Sequence, residues 1–186
     1  MMRGRERDSV VAARQASLRS VYAEFPQRAS ARKRARTSAT GIDASDPFHG
    51  QVEIGEGHGA SLRFGLDRHV GGLHDGPNPG DLLCAALAAC QDGAIRMIAD
   101  LLGIELTALE VAVGGELDVR GCLGQDPDVR VGFEALECDV RLAAADGAER
   151  RRLEALATAA EKFCVNLDTL RLGTEVRTAA EVLVGR

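Results

Sequence analysis

Five cysteines carry the reactive chemistry available to this 186-residue chain: Cys84, Cys90, Cys122, Cys138 and Cys164. They form an odd set with no Cys-x-x-Cys and no His at ligand spacing, so neither a disulfide framework nor a zinc site is indicated. In a reducing compartment a pair that does react is redox-active rather than structural. A free Cys also behaves as a small buried hydrophobe, and that ordinary role competes with chemistry at every position. Cys138 falls in the apolar phase of a strand, which is a core position. Cys122 lies in a Gly-rich turn with no evident chemical partner. Cys84 stands in the first turn of an apolar helix, where unpaired amides and the helix dipole favour a thiolate. Cys90 is two turns further in, beyond that effect, and needs a cation or donor from elsewhere.

Six residues of helix separate Cys84 from Cys90 by roughly 9 Å of rise and about 120° of rotation, so the two cannot bond to each other within an intact helix. Cys164 lies on the apolar stripe of a second helix and faces the same core, which leaves a Cys90–Cys164 encounter open. Cationic candidates come from residues 28–40, where Arg32, Arg34 and Arg36 recur at period two. As a strand, this segment would point three guanidinium groups the same way. One of them could favour a thiolate by opposite charge, or the set could be a solvated edge that resists edge-to-edge pairing. His49, His58, His69 and His74 stand in loops or at strand ends without metal or triad spacing. The loop 71–80 before the apolar helix has four Gly but no Lys-Ser/Thr ending, so it reads as a connection rather than a phosphate cradle.

The elements that must carry these groups follow from the periodicity. Ser9 is the expected N-cap of a helix that Pro26 closes. Residues 49–54 and 60–65 read as two strands joined by a Gly-rich turn. Residues 81–102 read as an apolar helix, buried nearly all round in its first half and stopped by Gly103. Residues 106–119 alternate as a strand or a bent pair interrupted at Gly114-Gly115, and 129–143 alternate with a phase shift that a bulge near Glu134 would produce. Residues 150–171 form one amphipathic helix ending at Gly173, and 174–184 a last strand. Strands occur in groups, so antiparallel pairing and an α+β class are expected.

Composition sets the outer limits. With 45% hydrophobic, 27% charged and 3% aromatic residues, the chain fits one soluble domain and excludes collagen-like and disordered classes. Residues 1–8 read as a flexible tail and 9–186 as a single domain, with the helix over 9–25 as an extension. The net charge of -5 divides into +7 over residues 1–37 and -12 over the remainder. This basic arm lacks interleaved aromatics, so a nucleic-acid partner is not expected. The longest apolar stretch contains Gln91, Asp92, Arg96 and Asp100, which argues for a core helix over a membrane span. The charged start lacks the apolar core of a signal peptide, and the expectation is a cytoplasmic protein.

The run Asn78-Pro79-Gly80-Asp81-Leu82-Leu83-Cys84-Ala85-Ala86-Leu87-Ala88-Ala89-Cys90, with Glu161-Lys162-Phe163-Cys164-Val165-Asn166-Leu167 later, resembles the OsmC/Ohr family of osmotically inducible and organic-hydroperoxide-resistance proteins. The resemblance spans roughly residues 28–184. It implies an intertwined homodimer of α+β subunits, with two long central helices enclosed by curved antiparallel sheets. It also implies a thiol peroxidase in which Cys90 is the reactive thiol and Cys164 resolves its sulfenic acid into a disulfide. A small or protein dithiol would then reduce that disulfide, and no metal, flavin or nicotinamide is required. Cys84 is not a family position, so its dipole argument yields to core packing. The family's Arg comes from the N-terminal strands, which makes Arg36 and Arg34 the candidates, with Arg63 third. Gly80 stands where many active members have Glu, and Val165-Asn166 where Pro and Ser commonly follow the second cysteine. These departures keep open a second reading, a small-molecule-binding protein with little turnover.

Overall fold

The computed structural model describes residues 8–37, 43, 45–55, 57–145 and 149–182. Helix α1 (Val10–Glu24) starts where expected, with the Ser9 hydroxyl accepting the Ala12 N–H. It buries none of its residues. What holds it is Asp100, whose Oδ2 accepts from Ser9 Oγ at 2.6 Å and from the Val11 N–H at 2.8 Å. The expected tail, residues 1–8, lies outside the described residues except for Asp8.

Three strands follow in one antiparallel sheet: β1 (Ala35–Thr37), β2 (His49–Ile54) and β3 (Ala60–Gly65), in that order. The last two match the expected ranges. The basic segment does not, because only Ala35–Thr37 is strand and residues 38–40 lie outside the described residues. Arg36 alone of the alternating arginines therefore occupies a ladder position, opposite Glu53.

Helix α2 (Pro79–Leu101) begins two residues before the expected start. Pro79 suits the first helical position because its missing N–H has no partner to lose there. Asn78 and Asp81 close a reciprocal capping box. Gly103, at φ 63°, ends the helix as expected. The expectation of burial nearly all round is corrected within one subunit. Leu87, Gln91, Ala94, Ile95 and Ala99 are buried along one stripe, whereas Leu83, Ala85, Ala86 and Ala89 are exposed. A single chain covers one face of this helix and leaves the other open.

Strand β4 (Leu106–Glu116) runs through Gly114-Gly115 without interruption and pairs antiparallel with β5 (Ala135–Ala144). A Cβ at Gly115 would stand 2.5 Å from Leu136 Cδ2, so glycine permits the close approach of β5 rather than a bend. A short helix, α3 (Val119–Cys122), holds Cys122, which was expected in a turn. The bulge expected near Glu134 is absent from β5. The backbone is irregular up to Glu134, whose N–H bonds the Glu116 carbonyl at 2.9 Å, and the strand starts one residue later. The register irregularity falls instead between Leu106 and Ala108.

The expected single helix over 150–171 is two: α4 (Arg150–Phe163) and α5 (Val165–Leu172). Cys164 separates them with an extended backbone at φ -81°, ψ 106°. The run Cys164-Val165-Asn166 joins three of the weaker helix formers, so little propensity opposes the break. No strand forms over residues 174–182, and 183 and 184 lie outside the described residues. The main core joins Ala94, Ile95 and Ala99 of α2 to Leu156 and Ala160 of α4 and to Ile104. Full burial of Ile95 and Leu156 contributes about 2–3 kcal/mol each. A second cluster, Leu87, Cys164 and Leu167 with Cys90 and Val113 against it, sits where α5 meets α2. Neither cluster draws a residue from β1, β2 or β3.

Candidate functional site

Cys90 and Cys164 meet in that second cluster, 74 positions apart in the chain, one on α2 and the other at the break between α4 and α5. The two thiols are close enough for Cys90 to perturb Cys164. Cys164 is fully buried and Cys90 half-buried. Burial pushes the Cys164 thiol above its ordinary range, the backbone amides of Leu167 and Asn166 pull it back, and the neighbouring Cys90 raises it further.

The break at Cys164 makes this meeting possible. In a continuous helix the first-turn amides of α5 would be committed to carbonyls of α4. With a new helix starting at Val165, those amides are available to the sulfurs. The Asn166 N–H donates to Cys90 Sγ at 3.5 Å. Its side-chain Nδ2 donates to the Ala86 carbonyl on α2 at 2.7 Å. The sequence identified both cysteines, but it offered Asn166 only as a departure from a familiar pattern.

A cavity of about 660 Å³ with mixed apolar and polar walls lies next to the cluster that holds the pair. Its lining includes Leu83, Phe133, Leu136 and Leu170, and it shares Leu87 and Leu167 with the thiol cluster. Gln91 also faces it, buried, with Oε1 lacking a hydrogen-bond partner among the described residues. Arg130 and the Arg171–Glu161 ion pair, 3.0 Å apart, stand at its wall. In the sequence Gln91 stands out only as a polar residue in an apolar stretch, with no sign of the cavity.

The remaining cysteines are elsewhere. Cys84 is half-buried, and burial with Asp81 one turn away pushes its thiol up, which reverses the thiolate expected from the helix dipole. The cost of desolvation exceeds the dipole's help, and Asp81 adds a like charge. Cys138 lines the cavity from β5 and is also pushed up, first by burial and then by Glu161 and Asp139. Cys122 is exposed and donates to the Val119 carbonyl.

None of the three candidate arginines is among the groups that shift the Cys164 thiol. Arg36 pairs with Glu53 across the ladder at 2.9 Å, with both side chains largely exposed. Arg34 precedes β1, and its carbonyl accepts the Gly55 N–H. Arg63, on β3, lies 3.6 Å from Asp75. At Gly80 an added Cβ would stand 3.0 Å from Asn78 Oδ1 and 3.1 Å from Phe133 Cζ. The glycine at this position leaves room for Phe133 to pack over the start of α2.

The family model described as OsmC-like protein matches residues 72–179, the span that contains α2, both thiols and the break between α4 and α5. The chain belongs to the OsmC-like family. The fold agrees with this OsmC-like assignment. An OsmC-like protein from Mycoplasma pneumoniae superposes with a TM-score of 0.60 at 14% identity, covering 76% of this chain and 89% of the other. An organic hydroperoxide resistance protein from Legionella pneumophila gives 0.54 at 24% identity, with coverage of 77% and 91%. One from Elizabethkingia anophelis, crystallised with thiocyanate, gives 0.55 at 19%, with coverage of 78% and 92%. At these identities the likeness is one of fold. No curated protein matches the sequence.

Proposed function

We propose that this OsmC-like chain is a thiol-dependent peroxidase that reduces organic hydroperoxides. The observation that carries the reading is the packing of Cys90 and Cys164 into one cluster, close enough for one thiol to perturb the other. The Cys90 thiolate attacks the terminal peroxide oxygen, the O–O bond breaks, and the alkoxide leaves as an alcohol after taking a proton. Cys90 is then a sulfenic acid. Cys164 attacks its sulfur, an S–S bond forms, and the hydroxyl departs as water with the Cys164 proton. A small or protein dithiol returns both thiols to the reduced state. Every step uses the chain's own sulfurs and the two co-reactants, peroxide and dithiol.

The neighbouring cavity supports an organic rather than an inorganic peroxide, because Leu87 and Leu167, which it shares with the thiol cluster, together with Leu83, Leu136 and Leu170 offer an alkyl group an apolar wall. The family resemblance and the relatives described as organic hydroperoxide resistance proteins point the same way. The working unit in this proposal is an intertwined homodimer in the cytoplasm. The sheet β1–β3 of one copy would cover the open face of α2 in the other, and Arg34 or Arg36 would approach the partner's thiols. The second reading, a small-molecule-binding protein with little turnover, rests on Gly80 and on Arg36 and Arg63 being paired with Glu53 and Asp75 rather than with the thiols.

Cumene hydroperoxide separates the two. Added to the reduced protein, it is expected to remove two free thiols per chain within seconds to minutes, and Cys90→Ser is expected to abolish the loss. Unchanged thiols at millimolar peroxide would favour the binding protein.

A further inference from the structure

Asn166 forms a bracket between α5 and the turn of α2 that holds Cys90. Its side chain donates to the Ala86 carbonyl at 2.7 Å, and its main-chain N–H donates to Cys90 Sγ at 3.5 Å. Ala86 lies four residues before Cys90, so its carbonyl is the one that the Cys90 N–H meets in the α2 ladder. The side chain therefore grips the same helical turn whose sulfur its own amide faces. That amide is free to do so only because the chain breaks at Cys164. An uninterrupted helix would give the Asn166 N–H to the Lys162 carbonyl, whereas α5 starts afresh and leaves it without an intrahelical acceptor. A main-chain donor held on a sulfur favours negative charge there, and a half-buried site strengthens the effect by excluding water.

We propose that Asn166 is the positioning residue that sets the reactivity of Cys90, by fixing onto its sulfur an α5 amide that has no intrahelical acceptor. In this chain the donor that Cys90 needs comes from the opposite helix of the same subunit, whether or not an arginine also arrives from elsewhere. The ionisable group packed with it in the same cluster is Cys164, whose thiol burial pushes up. The inference rests on Cys90 being the reacting thiol, but its test needs no peroxide.

The measurement is the rate of iodoacetamide alkylation, followed peptide by peptide by mass spectrometry from about pH 6 to pH 9. Cys84→Ser serves as the background, so that one tryptic peptide reports Cys90 alone. Asn166→Ala is expected to slow Cys90 about tenfold at neutral pH and to move its profile about one unit to higher pH, with the rates converging at the alkaline end. Asn166→Asp, which keeps the size but replaces the donor with a negative charge, is expected to slow Cys90 further. The exposed Cys122 is an internal control whose rate should not change. A tether with a purely structural role would change the rate equally at all pH values, or increase it by exposing the thiol, and either result overturns the proposal.

If the variants do not fold, the unmodified chain decides. The Asn166 amide resonance should move downfield as Cys90 ionises, and that movement should vanish in Cys90→Ala. A stationary resonance overturns the proposal. Failure to consume thiols with cumene hydroperoxide would defeat the peroxidase reading and leave these outcomes unaffected.

Discussion

Cys164 is both the most enclosed sulfur in the chain and the residue at which a helix breaks, and the two facts are linked. Its extended backbone turns α5 toward α2, and its thiol fills the space between Leu87 and Leu167. Replacing it with Ser should therefore separate two roles. Cys164→Ser keeps the shape of the break but cannot resolve a sulfenic acid, so peroxide treatment should leave Cys90 open to dimedone. One adduct per chain by mass spectrometry is the expected result, against none in the unmodified protein once oxidation is complete. At this level the sequence was readable in part. Both cysteines could be named only through the family resemblance, because periodicity left their encounter open and the helix dipole favoured Cys84. Asn166 could not, because its effect comes from a main-chain amide, and every residue except proline has one. The arginine stayed unresolved for a different reason: Arg36 sits on a sheet that contributes to neither core cluster of its own chain.

Elements were legible where one chain alone decides them. Strands β2 and β3 have the expected ends because the glycines at 55, 57 and 59 take positive φ, which fixes the turn between them. The bounds of α2 follow from the Asn78–Asp81 box and Gly103, both local signals. Periodicity failed where tertiary contact overrides it. It ran α4 and α5 together because both share an apolar stripe, and it expected a strand over 174–184 that residues 174–182 do not form.

A further contact links β2 to the loop before α2 and makes the fold sensitive to pH. His49 Nδ1 is 2.8 Å from Asp46, and Nε2 is 2.8 Å from Asp75. A neutral imidazole donates through one nitrogen only, so the protonated ring is the form that satisfies both carboxylates. Hydrogen bonds to Asp75 and then Asp46 raise the His49 pKa, and hydrogen bonding to His49 lowers both aspartates. The sign follows: a raised histidine contributes its stability fully below its unfolded value of about 6.5 and loses it as pH rises through the folded value. His49→Gln should lower Tm more at about pH 5.5 than at about pH 8.5, where the two proteins should converge. An equal deficit at both would show that the ring acts by packing alone.

At the scale of the whole molecule, one chain leaves large hydrophobic side chains open to solvent. α2 leaves Leu83, Met97 and Leu101 exposed, and a sheet of three strands contributes nothing to either core cluster. Apolar surface on this scale is characteristic of subunits that fold together. The expected result from light scattering is therefore a particle of twice the chain mass that persists on dilution to nanomolar concentration. A stable monomer would leave the thiols without a route to a guanidinium from a second copy.

The central claim is that two helices bring Cys90 and Cys164 into one bond-forming pair within a single chain. It is tested most directly by mapping the disulfide after mild oxidation with one equivalent of cumene hydroperoxide, in the Cys84→Ser background and under non-reducing digestion. The account predicts one dominant linked species joining the peptide that contains Cys90 to the peptide that contains Cys164, formed between residues of the same chain. A linkage through Cys122 or Cys138 instead, or oxidation of Cys90 to sulfinic acid with Cys164 still free, would contradict it.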